Sequence, residues 1–343
     1  CHPAVVDAVK EQVDKYMHIM VYGEFVQSPQ VDFAKALADV LPENLNCTYL
    51  VNSGAEAVEG AMKLAKRYTG RTEIISCVNS YHGSTQGALS LMGNEAFKQA
   101  YRPLLPEIRF FNYGKEADLD LITNKTAAVF IETVQGEAGI RIADIAYFKA
   151  LRAKCDETGT LLVLDEIQCG FGRTGKLFGF EHFEIVPDIL LLAKGIGGGM
   201  PIGAFVSSNE IMMSLATNPI LGHITTFGGH PVSCAAAYAT LQTILSENVV
   251  ESVTEKGELF KSLLVHPAIK EVRGKGLMIA VEFESFEMNK KIIDACIEDR
   301  VITDWFLHCS NSLRIAPPLI ITEQEIRHAC SIILKHVNSF SAA

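Results

Sequence analysis

Three short stretches carry residue types that could do chemistry. Ser53-Gly54-Ala55 stands between a strand-like run, Thr48 to Val51, and a run of helix formers from Glu56 to Arg67. Glycine lets the backbone approach a ligand, and a helix start offers unpaired N–H groups and a positive dipole end. This turn could seat a phosphate; the alternative is an ordinary helix cap by Ser53. Asp165 ends the apolar run Leu161-Leu162-Val163-Leu164. A carboxylate there is costly without a partner, which could be a ligand, a salt bridge or a helix end. Lys194 ends the run Ile189 to Ala193, and four glycines follow within five residues. A lysine held behind a buried strand is expected to be desolvated, which makes it a better nucleophile. The alternative is a surface lysine whose stem lies along the apolar run.

These stretches share one placement, because each follows a predicted strand. Open α/β sheets bind ligands at the carboxyl ends of their strands. Enough chain separates Asp165 from Lys194 for one crossover, so both are expected to face one crevice beside the phosphate seat. A phosphate seat, a carboxylate and a lysine form the constellation of a pyridoxal 5'-phosphate site. The lysine makes the Schiff base, and the acid keeps the pyridine nitrogen protonated.

The elements that must position these groups alternate along the chain. Apolar spacing predicts helices from His2 to Met20 and from Val31 to Val40. Strands are predicted at Glu73 to Ser76, Ala127 to Ile131, Leu161 to Leu164, Asp188 to Ala193 and Gly203 to Val206, with a helix over Ala146 to Glu157. Strands buried on both faces and alternating with helices imply a mostly parallel α/β sheet. From Pro231 the pattern becomes α+β: long helical stretches over Ser233 to Glu247 and Val249 to Leu264, one strand within Val272 to Phe283, a helix over Lys290 to Asp299, a strand at Leu313 to Ala316 and a last helix over Glu323 to Val337. The expected division is an N-terminal helical segment over 1–30, a large cofactor-binding domain over 31–235 and a small C-terminal domain over 236–343.

Composition narrows the function classes. The chain has 343 residues, 48% of them hydrophobic and 20% charged, with a net charge of −10. An acidic chain without a basic block is a poor nucleic-acid binder. No apolar run approaches the ~20 residues of a membrane span. The nine cysteines are scattered with no CxxC pair, so buried free thiols in a reducing, cytoplasmic setting are expected, and neither disulfides nor a metal site. The chain opens on Cys1-His2-Pro3.

The motifs, taken in order, resemble the class III (ornithine/4-aminobutyrate-type) aminotransferases of the aspartate aminotransferase fold, fold type I. They are Asn52-Ser53-Gly54-Ala55-Glu56-Ala57, Tyr81-His82-Gly83, Glu132 with Gln135-Gly136-Glu137-Ala138-Gly139, Leu164-Asp165-Glu166-Ile167-Gln168, Gly172-Arg173-Thr174-Gly175, Ala193-Lys194-Gly195, Thr226-Phe227-Gly228-Gly229 and Leu313-Arg314-Ile315-Ala316-Pro317-Pro318. Each is weak alone; the ordered set spans nearly the whole chain and is specific.

The resemblance implies a role for each residue. Lys194 would bind the cofactor and shuttle the proton, and Asp165 would pair with the pyridine nitrogen. Gln168 would reach the ring hydroxyl, Tyr81 would stack on the ring, and Ser53, Gly54 and Ala55 would hold the phosphate. Thr226 would reach the phosphate of a neighbouring subunit, which implies a homodimer or dimer of dimers. His82 would order a loop at the site, and Glu132 is a pocket-side acid or a structural ion pair. Arg314 would bind a substrate carboxylate, with Glu137 as its alternating partner, so that one pocket accepts an ω-amine and then a 2-oxo acid. Arg173 is read as structural. Two departures matter. Ser84 follows Gly83 where the ornithine and acetylornithine branch has arginine, which counts against such donors. The family also has a stretch ahead of the position of Cys1 that lines the pocket. The expected activity is transfer of an amino group from an amino acid or ω-amine to a 2-oxo acid, 2-oxoglutarate above all, by a ping-pong mechanism. The rivals are a decarboxylase, aminomutase or racemase on the same scaffold, a non-catalytic binder, and a nicotinamide-dependent oxidoreductase.

Overall fold

The computed structural model describes residues 1–19 and 25–341. Proline opens two of the first helices, α1 (Pro3–Lys15) and, one position in, α2 (Ser28–Asp39). A missing N–H is no loss in a first turn. The first helix stops short of its expected end because Tyr16 turns to extended backbone; Met20, where that expectation ended, lies outside the described residues. There follow β1 (Cys47–Val51), α3 (Gly54–Thr69), β2 (Glu73–Cys77), α4 (Gln86–Ser90), β3 (Ile108–Phe111), β4 (Thr126–Glu132), α5 (Ile145–Thr158), β5 (Leu161–Asp165), β6 (Ile189–Leu192), β7 (Gly203–Ser207), α6 (Asn209–Met212) and α7 (Pro231–Ser246). The remainder is α8 (Val253–Leu263), β8 (Glu271–Lys275), β9 (Met278–Glu282), α9 (Phe286–Glu298), β10 (Asp304–Phe306), β11 (Cys309–Ile315) and α10 (Glu323–Ser341).

Seven strands form one sheet in the order β1-β7-β6-β5-β4-β2-β3. Neighbours from β3 to β6 are parallel, and β7 is antiparallel to both β6 and β1. Two antiparallel pairings in succession return β1 to the common direction. The carboxyl ends of β1, β2, β4, β5 and β6 therefore share one edge with the start of β7. Side-chain alternation divides each strand between two cores. Leu162 and Leu164 enter the core beneath α2, α5 and α7, while Leu161 and Val163 meet α3. The same count turns Asp165 toward the α3 face. It turns Glu132 there too, and the two residues are register partners across β4 and β5.

The second sheet is antiparallel, in the order β10-β11-β9-β8. Its apolar face packs under α8, α9 and α10. The single strand expected within 272–283 is a hairpin, which turns at Gly276 with φ +55°. A Cβ there would stand 2.7 Å from the Arg173 carbonyl oxygen. The helical stretch expected from Val249 begins as a 3-10 turn, and the α-helix starts at Val253. The edge strands β3 and β10 were not expected: Arg109 interrupts the four residues of β3, and β10 has only three. The expected division at 235 cuts through α7. That helix packs on α1 and α2, and its Cys234, Ala237, Leu241 and Ile244 belong to the first sheet's core. Residues of the second core begin at Val253. Among the described residues no helix is long and apolar enough to cross a membrane.

Candidate active site

The shared edge opens into a cavity of about 740 Å3. Ser53, Gly54 and Ala55 line it from the end of β1, and Tyr81, His82 and Gly83 from beyond β2. Glu132 and Asp165 lie at the ends of β4 and β5, and Gln168 and Lys194 come from the turns after β5 and β6. The three stretches read as chemistry-bearing thus meet in one place.

Asp165 forms the floor. Its Oδ2 lies 2.7 Å from His82 Nδ1, and its Oδ1 accepts the Ile167 N–H at 3.0 Å. Both side chains are buried. Burial pulls the His82 imidazole down, but the hydrogen bond and charge of Asp165 outweigh it and leave the pKa raised. Among the described residues Glu132 makes no ion pair. Its two oxygens accept backbone N–H groups, Tyr81 at 3.1 Å and Gly136 at 2.8 Å. Burial, opposed by His82 and reinforced by the charge of Asp165, pushes its carboxyl up to about 7. Glu166 points to the opposite face, where the Thr133 hydroxyl and the N–H groups of Gly179 and Phe180 bind it.

The turn after β1 is a helix cap as well as a candidate seat. Ser53 Oγ accepts the Glu56 N–H at 3.2 Å. The N–H groups of Gly54 and Ala55, in the first turn of α3, have no intrahelical acceptor. Close packing holds the turn in place. A Cβ on Gly203, at the start of β7, would lie 2.3 Å from the Ser53 carbonyl oxygen. Lys194 departs from expectation: it is exposed rather than buried in this chain. It occupies the left-handed region, with φ +47°. Its side chain has no hydrogen-bond or ion-pair partner among the described residues.

A second cavity of about 1010 Å3 adjoins the first across Tyr81, Gln168 and Lys194. Glu137 and Arg314 meet there, with Glu137 Oε2 2.6 Å from Arg314 Nη2. Gln168 Nε2 lies 3.4 Å from the other Glu137 oxygen, and the Leu307 N–H donates to Oε2 at 3.1 Å. Burial would raise the Glu137 carboxyl, but the Arg314 charge and these donors hold it below its ordinary value. The Arg314 guanidinium also lies over the Phe306 ring, 4.6 Å from its centroid. Gly136 makes room for Gln168, since a Cβ would stand 2.1 Å from Gln168 Oε1.

Thr226 is exposed and lines neither cavity of its own chain. Arg173 donates to the carbonyls of Leu277 and Pro317, joining its loop to the second sheet, in keeping with a structural role. Sequence reasoning missed Thr85 and Met200, Pro201 and Ile202 in the first cavity, and Asp304, Trp305 and Leu307 in the second. The only advance signal was adjacency to a motif, and β10 lacked even that.

The donor set suits pyridoxal phosphate group by group. A helix start faces a phosphate, an aromatic residue a ring, a buried carboxylate a basic ring nitrogen, and an unpartnered amine a carbonyl carbon. A model of the family described as Aminotransferase class-III matches residues 1–337. Acetylornithine aminotransferase from Methanopyrus kandleri is 41% identical over 334 residues, covering 96% of this chain and 84% of that protein. The enzyme of that name from Methanocaldococcus jannaschii is 40% identical over 342 residues, covering 95% and 82%. Ornithine aminotransferase from Toxoplasma gondii, with pyridoxal phosphate at partial occupancy in its active site, has a TM-score of 0.92 at 29% identity, covering 100% of this chain and 82% of that one. A cavity furnished for this cofactor, set in a fold shared along the whole chain, agrees with these likenesses: the chain belongs to the class III aminotransferases, which transfer amino groups with pyridoxal phosphate.

Proposed function

We propose that this chain moves the terminal amino group of an ω-amine donor to 2-oxoglutarate, with the site residues in the following roles. Lys194 would hold the cofactor through Nζ and, when free of it, would take up and return the substrate's proton at that atom. When bound, pyridoxal phosphate supplies the electron sink for the carbanion left as that proton departs. Asp165, kept in place by His82, would pair with the ring nitrogen. Tyr81 covers one face of the ring, Gln168 reaches its hydroxyl, and the first turn of α3 holds the phosphate.

The observation that carries the reading is the Glu137–Arg314 pair, which stands in a cavity continuous with Lys194. With Glu137 on Arg314 the guanidinium charge is compensated and the pocket accepts a terminal CH2–NH2 group. With Glu137 displaced, the planar guanidinium offers two parallel N–H donors to the carboxylate of a 2-oxo acid. The relatives named above point to acetylornithine as the first donor to test. Ser84 at the wall brings a hydroxyl and no charge, so a donor's distal carboxylate must find its partner elsewhere in the larger cavity. The test is the visible absorbance of the loaded enzyme with acetylornithine, ornithine, 4-aminobutyrate and a diamine, each added alone. One donor should abolish the band and 2-oxoglutarate should restore it. A band that no amine alters would sink the proposal.

We further propose a homodimer. Thr226 stands in an exposed apolar stretch in which Ile220 is 79% and Phe227 54% exposed. A second copy would cover this face and receive Thr226 at its phosphate. Free thiols at all nine cysteines fit a reducing, cytoplasmic setting. We also place the start of the small domain after α7.

A further inference from the structure

Glu137 sits on a pinched loop. Gln135 and Arg141 exchange backbone hydrogen bonds at 3.0 Å in both directions, and the Gly139 N–H donates to the Gly136 carbonyl at 3.0 Å. The base of the loop continues β4, while its outer turn leans on the second sheet. Gly139 has φ +84°, and a Cβ there would stand 2.7 Å from both Arg273 Nη2 and Cys309 Sγ.

Arg273, on β8, is the side chain beneath that turn. Its Nε donates to the Gly139 carbonyl at 2.6 Å. Its Nη1 lies 2.8 Å from Glu271 and 2.5 Å from Glu282, and Nη2 reaches Ser312 Oγ at 3.3 Å. The side chain is only 11% exposed. Carboxylates of its own sheet fix the guanidinium, and it in turn holds the loop's carbonyl. The register explains the fit. Arg273 pairs with Ala280 from one side and Arg314 pairs with Ala280 from the other. The three side chains form one row on one face of the sheet, with the two arginines two strand spacings apart, about 9–10 Å. The small Ala280 leaves a saddle between them, and the same loop crosses it. Arg314 takes the Glu137 carboxylate, and Arg273 takes the carbonyl two residues on.

We propose that Arg273 is a positioning residue that sets Glu137 against Arg314, and so governs which substrate the pocket accepts. This inference rests on the alternating role given to Glu137 in the preceding subsection. Without the Arg273 tether the loop lifts, Glu137 leaves Arg314 more often, and an amine donor meets a bare guanidinium. A 2-oxo acid, which needs Arg314 free, binds no worse.

The test uses the full chain loaded with cofactor and measures the two half-reactions separately. Arg273→Met should raise KM for the amine donor about tenfold, the loss of one charge-assisted hydrogen bond. The KM and maximal rate of the 2-oxo acid half-reaction should stay within about twofold. Arg273→Lys, which keeps the charge but not the fork, should fall between. Amide hydrogen exchange over residues 135–141 should quicken in Arg273→Met. Glu137→Ala should give the same split, and adding Arg273→Met to it should change little more. If Glu137→Ala affects both half-reactions alike, the alternating reading of that pair fails, and this inference with it. If Glu137→Ala splits them while Arg273→Met spares both or lowers both equally, the role of Arg273 is overturned and the reading of the pair stands.

Discussion

The chemistry proposed for this site rests on a few ionisable groups with unlike surroundings. Among the described residues Lys194 has no hydrogen-bond or ion-pair partner, so its amine is available to a carbonyl carbon. Lys194→Ala should therefore lower the transamination rate by at least about a thousandfold, as loss of a positioned acid–base group does, while circular dichroism stays unchanged. A variant as fast as wild type would remove Lys194 from the mechanism. The buried acids predict a pH dependence with a definite sign. Glu132 titrates near 7 in the fold against 4.5 ordinarily, and the pKa of His82 is raised too. Both groups hold protons more tightly when folded. The stability this adds is fully present below their unfolded values and disappears as pH rises through the folded ones. The unfolding temperature of the cofactor-free protein should fall between about pH 5 and pH 8. Glu132→Gln should make that fall shallower; a midpoint that climbs steadily across the window would contradict the raised Glu132 value.

Among the elements, α3 and the strand ends beside it decide where a phosphate could sit. α3 lies close on the sheet because Gly60 faces Phe205, where a Cβ would stand 2.4 Å from the ring. Its first turn is set by Gly203 of β7 in the same way. Gly203→Ala would push the Ser53 carbonyl aside, an overpacking that costs about 1–3 kcal/mol. Cofactor affinity, followed by visible titration, should weaken by roughly tenfold to a hundredfold with helix content unchanged. An unaltered dissociation constant would show that this turn does not hold the phosphate. At the other wall, β11 carries Arg314 between its register partners Asp304 of β10 and Ala280 of β9, and its guanidinium donates to the Trp305 carbonyl. That strand is held on both sides, which keeps the guanidinium in place while its carboxylate partner changes.

At the scale of the whole molecule, the proposed assembly completes the site. Apolar side chains around Thr226 stand in water on one chain, an arrangement that marks an interaction surface. Sedimentation at micromolar concentration should give a dimer, and Phe227→Asp should dissociate it. Thr226→Ala should weaken cofactor binding without touching its own cavity. Mixing Thr226→Ala chains with Lys194→Ala chains should restore one intact site per hybrid dimer. A mixture with no more activity than its Thr226→Ala component would mean that Thr226 does not act across subunits.

The sequence alone determined the ends of the strands and what stands on them. Short apolar runs such as Leu161 to Leu164 are legible because burial on both faces leaves no polar interruption, so the residue that breaks the run, Asp165, is conspicuous. Asp165, Lys194 and the Ser53 turn were found that way, and the ordered motifs supplied Glu137 and Arg314. Only the tertiary structure decided what these residues touch. The contact of His82 with Asp165 joins positions 83 residues apart in the chain. The bond that Glu132 accepts from Tyr81, 51 residues away in the chain, depends on strand order, which no local pattern encodes. The three-residue strand β10 falls below the length at which a period can be read, and β8, with Glu271, Arg273 and Lys275 among its five residues, offers no apolar run. The row Arg273, Ala280 and Arg314 exists only through the register of three strands, and register is a property of pairing rather than of any one segment.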